Sequence, residues 1–200
     1  MGRIAGVTAA ETRERLLRAA VEVFAARGYD GTRVADIAAA AGVSNGALYT
    51  HFGSKADLLV AALREHAPRL LSQMLAADPH RSIADMLIVV GRKLTKRRGA
   101  EDFLIIEALV AARRDAEVAR HMHDYVDERA DGLAGLVGMG QAGGEIDGGL
   151  SPAALAHFCL ALSIGSVLIP PDLHGVDDAE WSALLARVVG GLAPTQEGES

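Results

Sequence analysis

Helix-start signals recur along this chain, whereas signals for β-strands are nearly absent. A capping box places Ser, Thr or Asp just before a helix and an acidic residue three positions later, so that each side chain satisfies a free backbone N–H. Four pairs of residues fit this spacing: Thr8 with Glu11, Ser54 with Asp57, Ser82 with Asp85, and Asp177 with Glu180. The first pair precedes an apolar stripe at helical spacing. The chain is therefore predicted to be all-α.

The limits of the predicted helices come from these starts and from glycine or proline at the ends. Thr32 is expected to cap the second helix and Ser44 the third, while serine followed by proline at 151–152 is a strong start. The glycine-rich stretch QAGGEIDGGL is expected to break the chain between two helices. The predicted helices are Thr8 to Arg27, Arg33 to Ala41, Ser44 to about His51, Ser54 to His66 or beyond, Ser82 to Arg98, Glu101 to Arg114, Asp115 to about Met139, one beginning at Ser151, and Asp177 to Gly190.

Composition limits the possible partners and compartment. The net charge of the 200 residues is −6, but residues 1–66 hold 8 Lys or Arg against 7 Asp or Glu, whereas the remainder holds 12 against 19. An anionic partner is therefore expected to meet the N-terminal part. Cys159 is the single cysteine, and no stretch reaches the roughly 20 apolar residues that span a bilayer. We expect a soluble cytoplasmic protein with no membrane association.

The stretch GVSNGALYTHFGSK, residues 42–55, has the spacing of a helix-turn-helix. Two short helices that cross steeply need a small residue at their contact, a glycine in the turn, and an apolar residue on the second helix. Ala38, Gly42 and Leu48 occupy these places. In such a motif the second helix enters the DNA major groove, and small residues at its front let it approach the bases closely.

Residues 10–60 resemble the TetR family of transcriptional regulators. The resemblance rests on Leu16-Leu17-x-x-Ala20, Phe24, Gly28, Thr32, the run DIAAAAGVSNGALYTHF, and Ser54-Lys55. It implies DNA contacts from Arg33, Ser44, Asn45, Gly46, Ala47, Tyr49, Thr50, His51 and Lys55, with Arg3 in the N-terminal arm adding a weaker one. The Asn45 amide can pair with adenine through two hydrogen bonds. Thr50 departs from the bulkier aromatic residue that is common at its place in the family.

The resemblance also implies a homodimer and a small-molecule effector of unknown identity. The helix that begins at Ser151 is apolar nearly all round, and such a helix is buried on more than one side. The expected dimer interface comprises Leu155, Phe158, Cys159, Leu162, Gly165, Trp181, Leu185 and Val188. The expected effector pocket comprises Phe103, Ile106, Glu107, Val110, Arg114, His121, Met122 and Tyr125, although the same spacing fits an ordinary core. The corresponding domains are 1–55 for DNA binding and 56–192 for the effector and dimerisation, with a disordered tail at 193–200.

The expected function is a ligand-responsive regulator, most often a repressor in this family, released from a pseudo-palindromic DNA operator by its effector. One alternative is a small helical enzyme using His121, Asp124 or His157, but no nucleophile with its base, no metal signature and no cofactor motif is present. Another is a nonspecific DNA-compacting protein, which the acidic remainder of the chain disfavours. His123 and Asp127 share a helix face, but two ligands do not complete a metal site. Activation in place of repression stays open, because promoter geometry decides it.

Overall fold

The computed structural model describes residues 8–66, 70–94, 99–169, 173 and 175–194 of the chain. Within these residues the structure has ten α-helices and no strand, which confirms the all-α prediction. The helices are α1 (Ala9–Gly31), α2 (Val34–Ala40), α3 (Asn45–His51), α4 (Lys55–His66), α5 (Leu70–Ala77), α6 (Ile83–Lys93), α7 (Ala100–Ala112), α8 (Ala116–Ala142), α9 (Pro152–Leu168) and α10 (Asp178–Gly190). The predicted contribution of Arg3 and most of the predicted tail, residues 195–200, lie outside the described residues.

Most of the predicted helix starts are confirmed by their hydrogen bonds. At α1 the Glu11 N–H donates to the Thr8 hydroxyl over 3.1 Å, and the Thr8 N–H donates to the Glu11 carboxylate over 2.7 Å. Ser44, Ser82 and Ser151 each accept a hydrogen bond from the backbone N–H three residues later. Asp177 and Glu180 form the same reciprocal box at α10. These bonds are local, so a one-dimensional pattern is sufficient to predict them.

The end of α1 differs from the prediction. Gly28 adopts a left-handed φ of 70°, which kinks the helix as expected of a glycine end, but helical structure resumes through Gly31. Thr32 does not cap α2, because its buried hydroxyl donates to the Gly28 carbonyl over 2.7 Å. Arg33 is the residue that precedes α2, and its N–H donates to the Asp36 carboxylate. The Thr32 hydroxyl thus stabilises the kink at Gly28 and does not cap the start of α2.

Two further limits differ from the sequence reading. α5 was not predicted as a separate helix; Pro68 stands between it and α4 in the sequence, and proline interrupts a helical hydrogen-bond ladder. α6 ends at Lys93, whereas the predicted helix continued to Arg98. The sequence around this end is basic; Arg92 and Lys93 are described, and residues 95–98 lie outside the described part.

One compact unit contains α1 to α4, α7 and the part of α8 up to Tyr125. Its centre is formed by large side chains that are less than 2% exposed: Leu16, Leu17, Phe24, Ile37, Leu48, Leu58, Leu59, Leu104 and Val118. The unit reaches beyond the predicted boundary at residue 55, because α4 and α7 pack on α1. The predicted division at residue 55 separates DNA binding from effector binding and dimerisation, and this functional division stays a prediction.

The second compact unit contains α5, α6, α8 from Val126 onward, α9 and α10. Met74, Ile83, Met86, Val137 and Ile146 form its core. The glycine-rich break is held in place: the Glu145 carboxylate accepts hydrogen bonds from the Ser82 hydroxyl and the Ala84 N–H, and the Gln141 amide donates to two loop carbonyls. A Cβ at Gly140 would lie 2.8 Å from Ile146, so this glycine provides the space that the core needs.

α10 packs against α6 at Gly91. The Trp181 indole donates to the Gly91 carbonyl over 2.9 Å, and a Cβ on Gly91 would lie 2.9 Å from the Leu185 side chain. The glycine therefore permits a close approach that any side chain would block. Among the described residues, none of the helices combines the length and apolarity needed to cross a membrane.

Candidate nucleic-acid interface

The turn between α2 and α3 has the geometry of a helix-turn-helix. Gly42 has a φ of 67°, and the Val43 N–H donates to the Ala38 carbonyl over 2.9 Å. The Arg15 guanidinium of α1 donates to the Ala41 carbonyl at the same turn. The turn requires glycine for this backbone conformation, and a Cβ on Gly42 would lie 2.7 Å from the terminal nitrogen of Arg15, which would have to move.

α3 buries one side and exposes the other. Leu48 is 0% exposed, and Phe52 at the end of the helix is also buried, as predicted. Asn45, Gly46, Tyr49 and Thr50 form the exposed face of α3. Ala47 and His51 are half-buried at its edges, and the exposed Ser44 accepts the Ala47 N–H at the start of the helix. The sequence-predicted residues of the third helix are therefore brought together on one accessible surface.

The hydrogen-bonding groups on this face differ in what they already contact. Within the part of the chain that the structure describes, neither the Asn45 amide nor the Tyr49 hydroxyl makes a hydrogen bond. The Thr50 hydroxyl, in contrast, donates to the Gly46 carbonyl over 2.9 Å. Asn45 and Tyr49 thus retain their full capacity for an external partner, while Thr50 has used its one proton.

Lys55 lies where α4 begins, but its ammonium contacts the protein. It donates to the Tyr29 carbonyl over 2.9 Å and to the Thr32 carbonyl over 3.2 Å, and it lies 4.0 Å from the centre of the Tyr29 ring. An ammonium group has three donors. Two of them join α4 to the end of α1, which leaves one for the phosphate contact that the sequence reading assigned to Lys55. That phosphate contact stays a prediction.

Tyr29 forms a junction between α1 and its neighbouring helices, a role that was not predicted from the sequence. Its N–H, next to the left-handed Gly28, donates to the Glu107 carboxylate of α7, and its hydroxyl donates to Asp115 over 2.9 Å. Its carbonyl and ring are the groups that hold Lys55. Every polar group of this buried side chain and its backbone is therefore bonded to α4, α7 or the turn before α8. The only sequence signal was a tyrosine after a helix-ending glycine.

Folding shifts the pKa values of the Tyr29–Asp115 pair in opposite directions. Burial, together with the bond to the Asp115 carboxylate, raises the pKa of Tyr29. Hydrogen bonds from the Val118 N–H, the Tyr29 hydroxyl and the Glu117 N–H lower the pKa of Asp115. The contribution of Asp115 to stability is present above its unfolded pKa of about 4 and is lost as the pH falls through its folded pKa. The contribution of Tyr29 is complete below its unfolded pKa of about 10 and is lost as the pH rises toward its folded pKa.

Tyr29→Phe is expected to lower the free energy of unfolding by about 1–2 kcal/mol near neutral pH, because a hydrogen bond to a carboxylate is lost while Asp115 keeps two backbone donors. The variant should also lose less stability than wild type between pH 9 and pH 11, since it lacks the phenol that ionises in the unfolded chain near pH 10. Urea unfolding across this pH range measures both effects. Tyr49→Phe is the matched control and should leave stability unchanged, and an equal loss in the two variants would contradict the assignment.

The predicted effector-pocket residues lie in different surroundings. Met122 and Tyr125 are buried, and the Arg64 guanidinium lies 6.0 Å from the Tyr125 ring centre. Phe103 and Val110 are exposed on α7, Ile106 is half-buried, and His121 lies 4.0 Å from Glu117. Two members have other partners: Glu107 binds the Tyr29 N–H, and Arg114 pairs with Asp30 over 3.3 Å. Glu107 and Arg114 therefore take part in the junction at the end of α1, and their place in the pocket lining stays a prediction.

The described residues contain no group of three or more His, Cys, Asp or Glu side chains that could hold a metal ion. His121 and His123 stand two residues apart on α8, and His121 approaches Glu117 on the preceding turn. The described part of the structure thus gives no support to a metal centre at residues 121–125, whose sequence is HMHDY.

The predicted dimer residues divide into three sets by exposure. Phe158 and Val188 are 50% and 41% exposed, and Leu155, Cys159, Leu162, Gly165 and Trp181 are half-buried. Leu185 is only 6% exposed because it packs against Gly91 within the chain, so it is removed from the predicted interface. Leu184, which belongs to the same apolar stripe but was not assigned to the interface, is 54% exposed and lies one turn before Val188. Burial raises the pKa of the Cys159 thiol, as expected of a packed cysteine.

A family model described as bacterial regulatory proteins, tetR family, matches residues 16–62, which include the helix-turn-helix. The chain is 30% identical over 189 residues to the probable HTH-type transcriptional regulator ArpR of Pseudomonas putida, covering 82% of this chain and 83% of that protein. It is 48% identical over 62 residues to the HTH-type transcriptional activator FasR of Mycolicibacterium smegmatis, covering 31% of this chain and 28% of FasR. The structure of Salmonella enterica GusR superposes with a TM-score of 0.76 at 25% identity, covering 91% of this chain and 95% of GusR. This chain belongs to the TetR family of bacterial transcriptional regulators.

Proposed function

We propose that the protein is a dimeric repressor that reads an operator through the exposed face of α3 and is released by a small-molecule effector. The observation that carries the proposal is the exposed side of α3, where the Asn45 amide and the Tyr49 hydroxyl have no hydrogen-bond partner in the described part of the chain. These groups stand on a helix that the Gly42 turn and the buried Leu48 hold in one orientation.

The proposed contacts differ in what they recognise. Asn45 carries an amide that donates and accepts, so it pairs with adenine through two hydrogen bonds and reads sequence. The Tyr49 hydroxyl, the Arg33 guanidinium and the third donor of Lys55 bind phosphate oxygens, which position the helix but carry no sequence information. Ser44, Gly46 and Ala47 keep the front of α3 small, and His51 adds a donor at its edge.

A dimer explains the apolar side chains that the protomer leaves exposed on α9 and α10. Phe158 on α9, and Leu184 and Val188 on α10, are each more than 40% exposed. Burying them against the same surface of a second copy removes apolar area from water. A two-fold dimer presents two reading helices one turn of DNA apart, at about 34–36 Å. The operator is then a pseudo-palindrome.

The effector is proposed to bind among α7 and α8, where Met122 and Tyr125 are buried and Ile106 is partly accessible. α7 is joined to the end of α1 through Glu107 and Tyr29. A displacement of α7 therefore acts on α1, whose Arg15 side chain donates to the Ala41 carbonyl at the α2–α3 turn. The effector must bind the released state more tightly than the DNA-bound state, since equal affinity would shift nothing.

Repression is proposed because the protein, while it is bound to an operator within a promoter, excludes other proteins from that promoter until the effector releases it. The relative FasR is named an activator, and the position of an operator relative to its promoter decides between the two outcomes. A reporter carrying the operator within a promoter measures the direction: repression predicts lower expression when the protein is present, and effector addition restores it.

Selection of random duplex DNA by the purified dimer tests the proposal. Wild-type protein should retain a palindrome with half-sites about one helical turn apart. Asn45→Ala should weaken binding to this operator by about 1–3 kcal/mol per half-site and lose the preference at one base pair. Retention of all sequences equally, by wild type and variant alike, would contradict sequence-specific regulation.

Gly46→Ala is expected to change stability and DNA binding in opposite directions. Gly46 has ordinary helical backbone, and a Cβ there would meet only the Ser44 hydroxyl, at 3.9 Å. Alanine should therefore stabilise the fold by about 0.5–1 kcal/mol. The added methyl stands where the DNA must approach and should weaken operator binding by about 1–3 kcal/mol, the typical cost of an extra methyl group in a packed contact. Thermal unfolding and fluorescence anisotropy on the operator measure the two effects.

Gly132→Ala is the matched control for this prediction. Gly132 is exposed within α8, and a Cβ there would meet nothing within 4 Å. The control should raise stability to a similar extent and leave operator binding unchanged. If Gly46→Ala binds the operator as tightly as this control, the front of α3 does not approach DNA.

A further inference from the structure

Thr50 stands on the exposed face of α3, but its hydroxyl is already engaged. The hydroxyl donates to the Gly46 carbonyl, one turn earlier, over 2.9 Å. Side chains of a helix lean toward its N-terminus, so Thr50 lies over Gly46. Gly46 has no side chain of its own, and a Cβ built there would meet only the Ser44 hydroxyl.

This bond restricts what Thr50 can offer to DNA. A hydroxyl has one proton, and phosphate oxygens only accept hydrogen bonds. While the proton is given to Gly46, Thr50 cannot donate to the DNA backbone. The methyl group occupies a different staggered position on Cβ from the hydroxyl, and the side chain as a whole is exposed. Toward DNA, Thr50 therefore offers its methyl group and the lone pairs of its hydroxyl oxygen, but no proton.

We propose that Thr50 reads a thymine, through contact of its methyl group with the thymine 5-methyl group in the major groove. The thymine methyl is the one apolar group on a base edge in that groove, and threonine methyls contact it. Asn45 lies on the same face and reads through hydrogen bonds, so the two residues specify different base pairs of the half-site. The inference rests on the proposed function, because it assigns a specificity-determining residue within that operator contact.

The test removes the two methyl groups separately. In the selected operator each thymine of the half-site is replaced in turn by uracil, which deletes only the 5-methyl group. On the protein, Thr50→Ser keeps the hydroxyl and deletes the methyl, whereas Thr50→Val keeps a methyl in the same place and deletes the hydroxyl. Binding is measured by fluorescence anisotropy at several salt concentrations, and thermal unfolding of both variants checks the fold.

One thymine per half-site should be sensitive in wild type. Its replacement by uracil is expected to weaken binding about fourfold per half-site, and about fifteenfold when both half-sites are changed, from the transfer free energy of one buried methyl. Thr50→Ser should show the same loss on the thymine operator and no further loss on the uracil operator. Thr50→Val should bind like wild type and keep the sensitivity to uracil. Neither variant should change the slope of log affinity against log salt, because no phosphate contact is removed.

Three results would overturn the inference. Thr50→Ser could remain as sensitive to uracil as wild type, which would assign the methyl to another residue. Thr50→Val could lose binding while Thr50→Ser keeps it, which would make the hydroxyl the reader, accepting from a base amino group. The third result is that replacing any thymine of the operator by uracil leaves wild-type binding unchanged. In each case the selected operator stands and only this inference fails, whereas failure to select any operator would reject the proposed function first and this inference with it.

Discussion

Leu184→Glu should convert the dimer to a monomer and lower operator affinity by about 10²–10⁴-fold, because a monomer engages one half-site and loses the advantage of linked binding. Leu184 is 54% exposed in the protomer, so glutamate is tolerated in the isolated chain. In a dimer interface the same carboxylate would be buried opposite its own copy without a partner, and such a charge is costly. Sedimentation equilibrium gives the oligomeric state, and circular dichroism checks that the helices remain folded.

Ala186→Glu is the control for this prediction. Ala186 is also exposed on α10, but two residues in a helix are separated by about 200°, so it faces away from both Leu184 and Val188. This variant should remain a dimer and bind the operator normally. Phe158→Glu tests the α9 side of the same surface and should behave like Leu184→Glu. A dimeric Leu184→Glu protein would show that α10 does not form the interface.

Leu48→Ala should lower the free energy of unfolding by about 2–5 kcal/mol, since the deleted side chain is fully buried and its removal leaves a cavity. Operator binding should fall with it, because Leu48 holds α3 in its orientation. Denaturant unfolding followed by circular dichroism measures the stability, and anisotropy at a temperature where the variant is folded separates loss of fold from loss of contact.

Tyr49→Ala, one residue away, should give the opposite profile. Tyr49 is 55% exposed and makes no side-chain hydrogen bond in the described structure. Its removal should change stability by less than about 0.5 kcal/mol, as for most surface substitutions. The loss should appear in operator affinity and as a smaller salt dependence, because a phosphate contact is removed. Equal stability losses in the two variants would contradict the division of α3 into a buried and an exposed side.

Much of the candidate site could be predicted because its determinants are local. The start of α3 at Ser44, the turn at Gly42 and the burial of Leu48 depend on residues within one or two turns of helix. The bond from Thr50 to Gly46 also spans a single turn, so its spacing was visible in the sequence. What the spacing did not show was whether the Thr50 hydroxyl would choose this carbonyl or an external partner.

The roles of Lys55 and Glu107 could not be predicted, because their partners are distant in sequence. Lys55 contacts carbonyls 23 and 26 residues earlier, and Glu107 contacts an N–H 78 residues earlier. The sequence assigned Lys55 to a DNA contact and Glu107 to the effector pocket, and neither assignment points to these distant partners. The left-handed Gly28 frees the Tyr29 N–H, and only the packing of α7 on α1 supplies the acceptor.

By itself the sequence determined most of the helix starts, the turn and the exposed face of α3, because capping, glycine conformation and helical periodicity act between near neighbours. The tertiary structure decided which of two adjacent leucines stays accessible. Leu184 and Leu185 belong to one apolar stripe, and a rotation of about 100° separates them. Leu185 packs against the bare backbone of Gly91, and Leu184 is left at the surface. That choice depends on how α10 lies against α6, which no periodicity within α10 encodes.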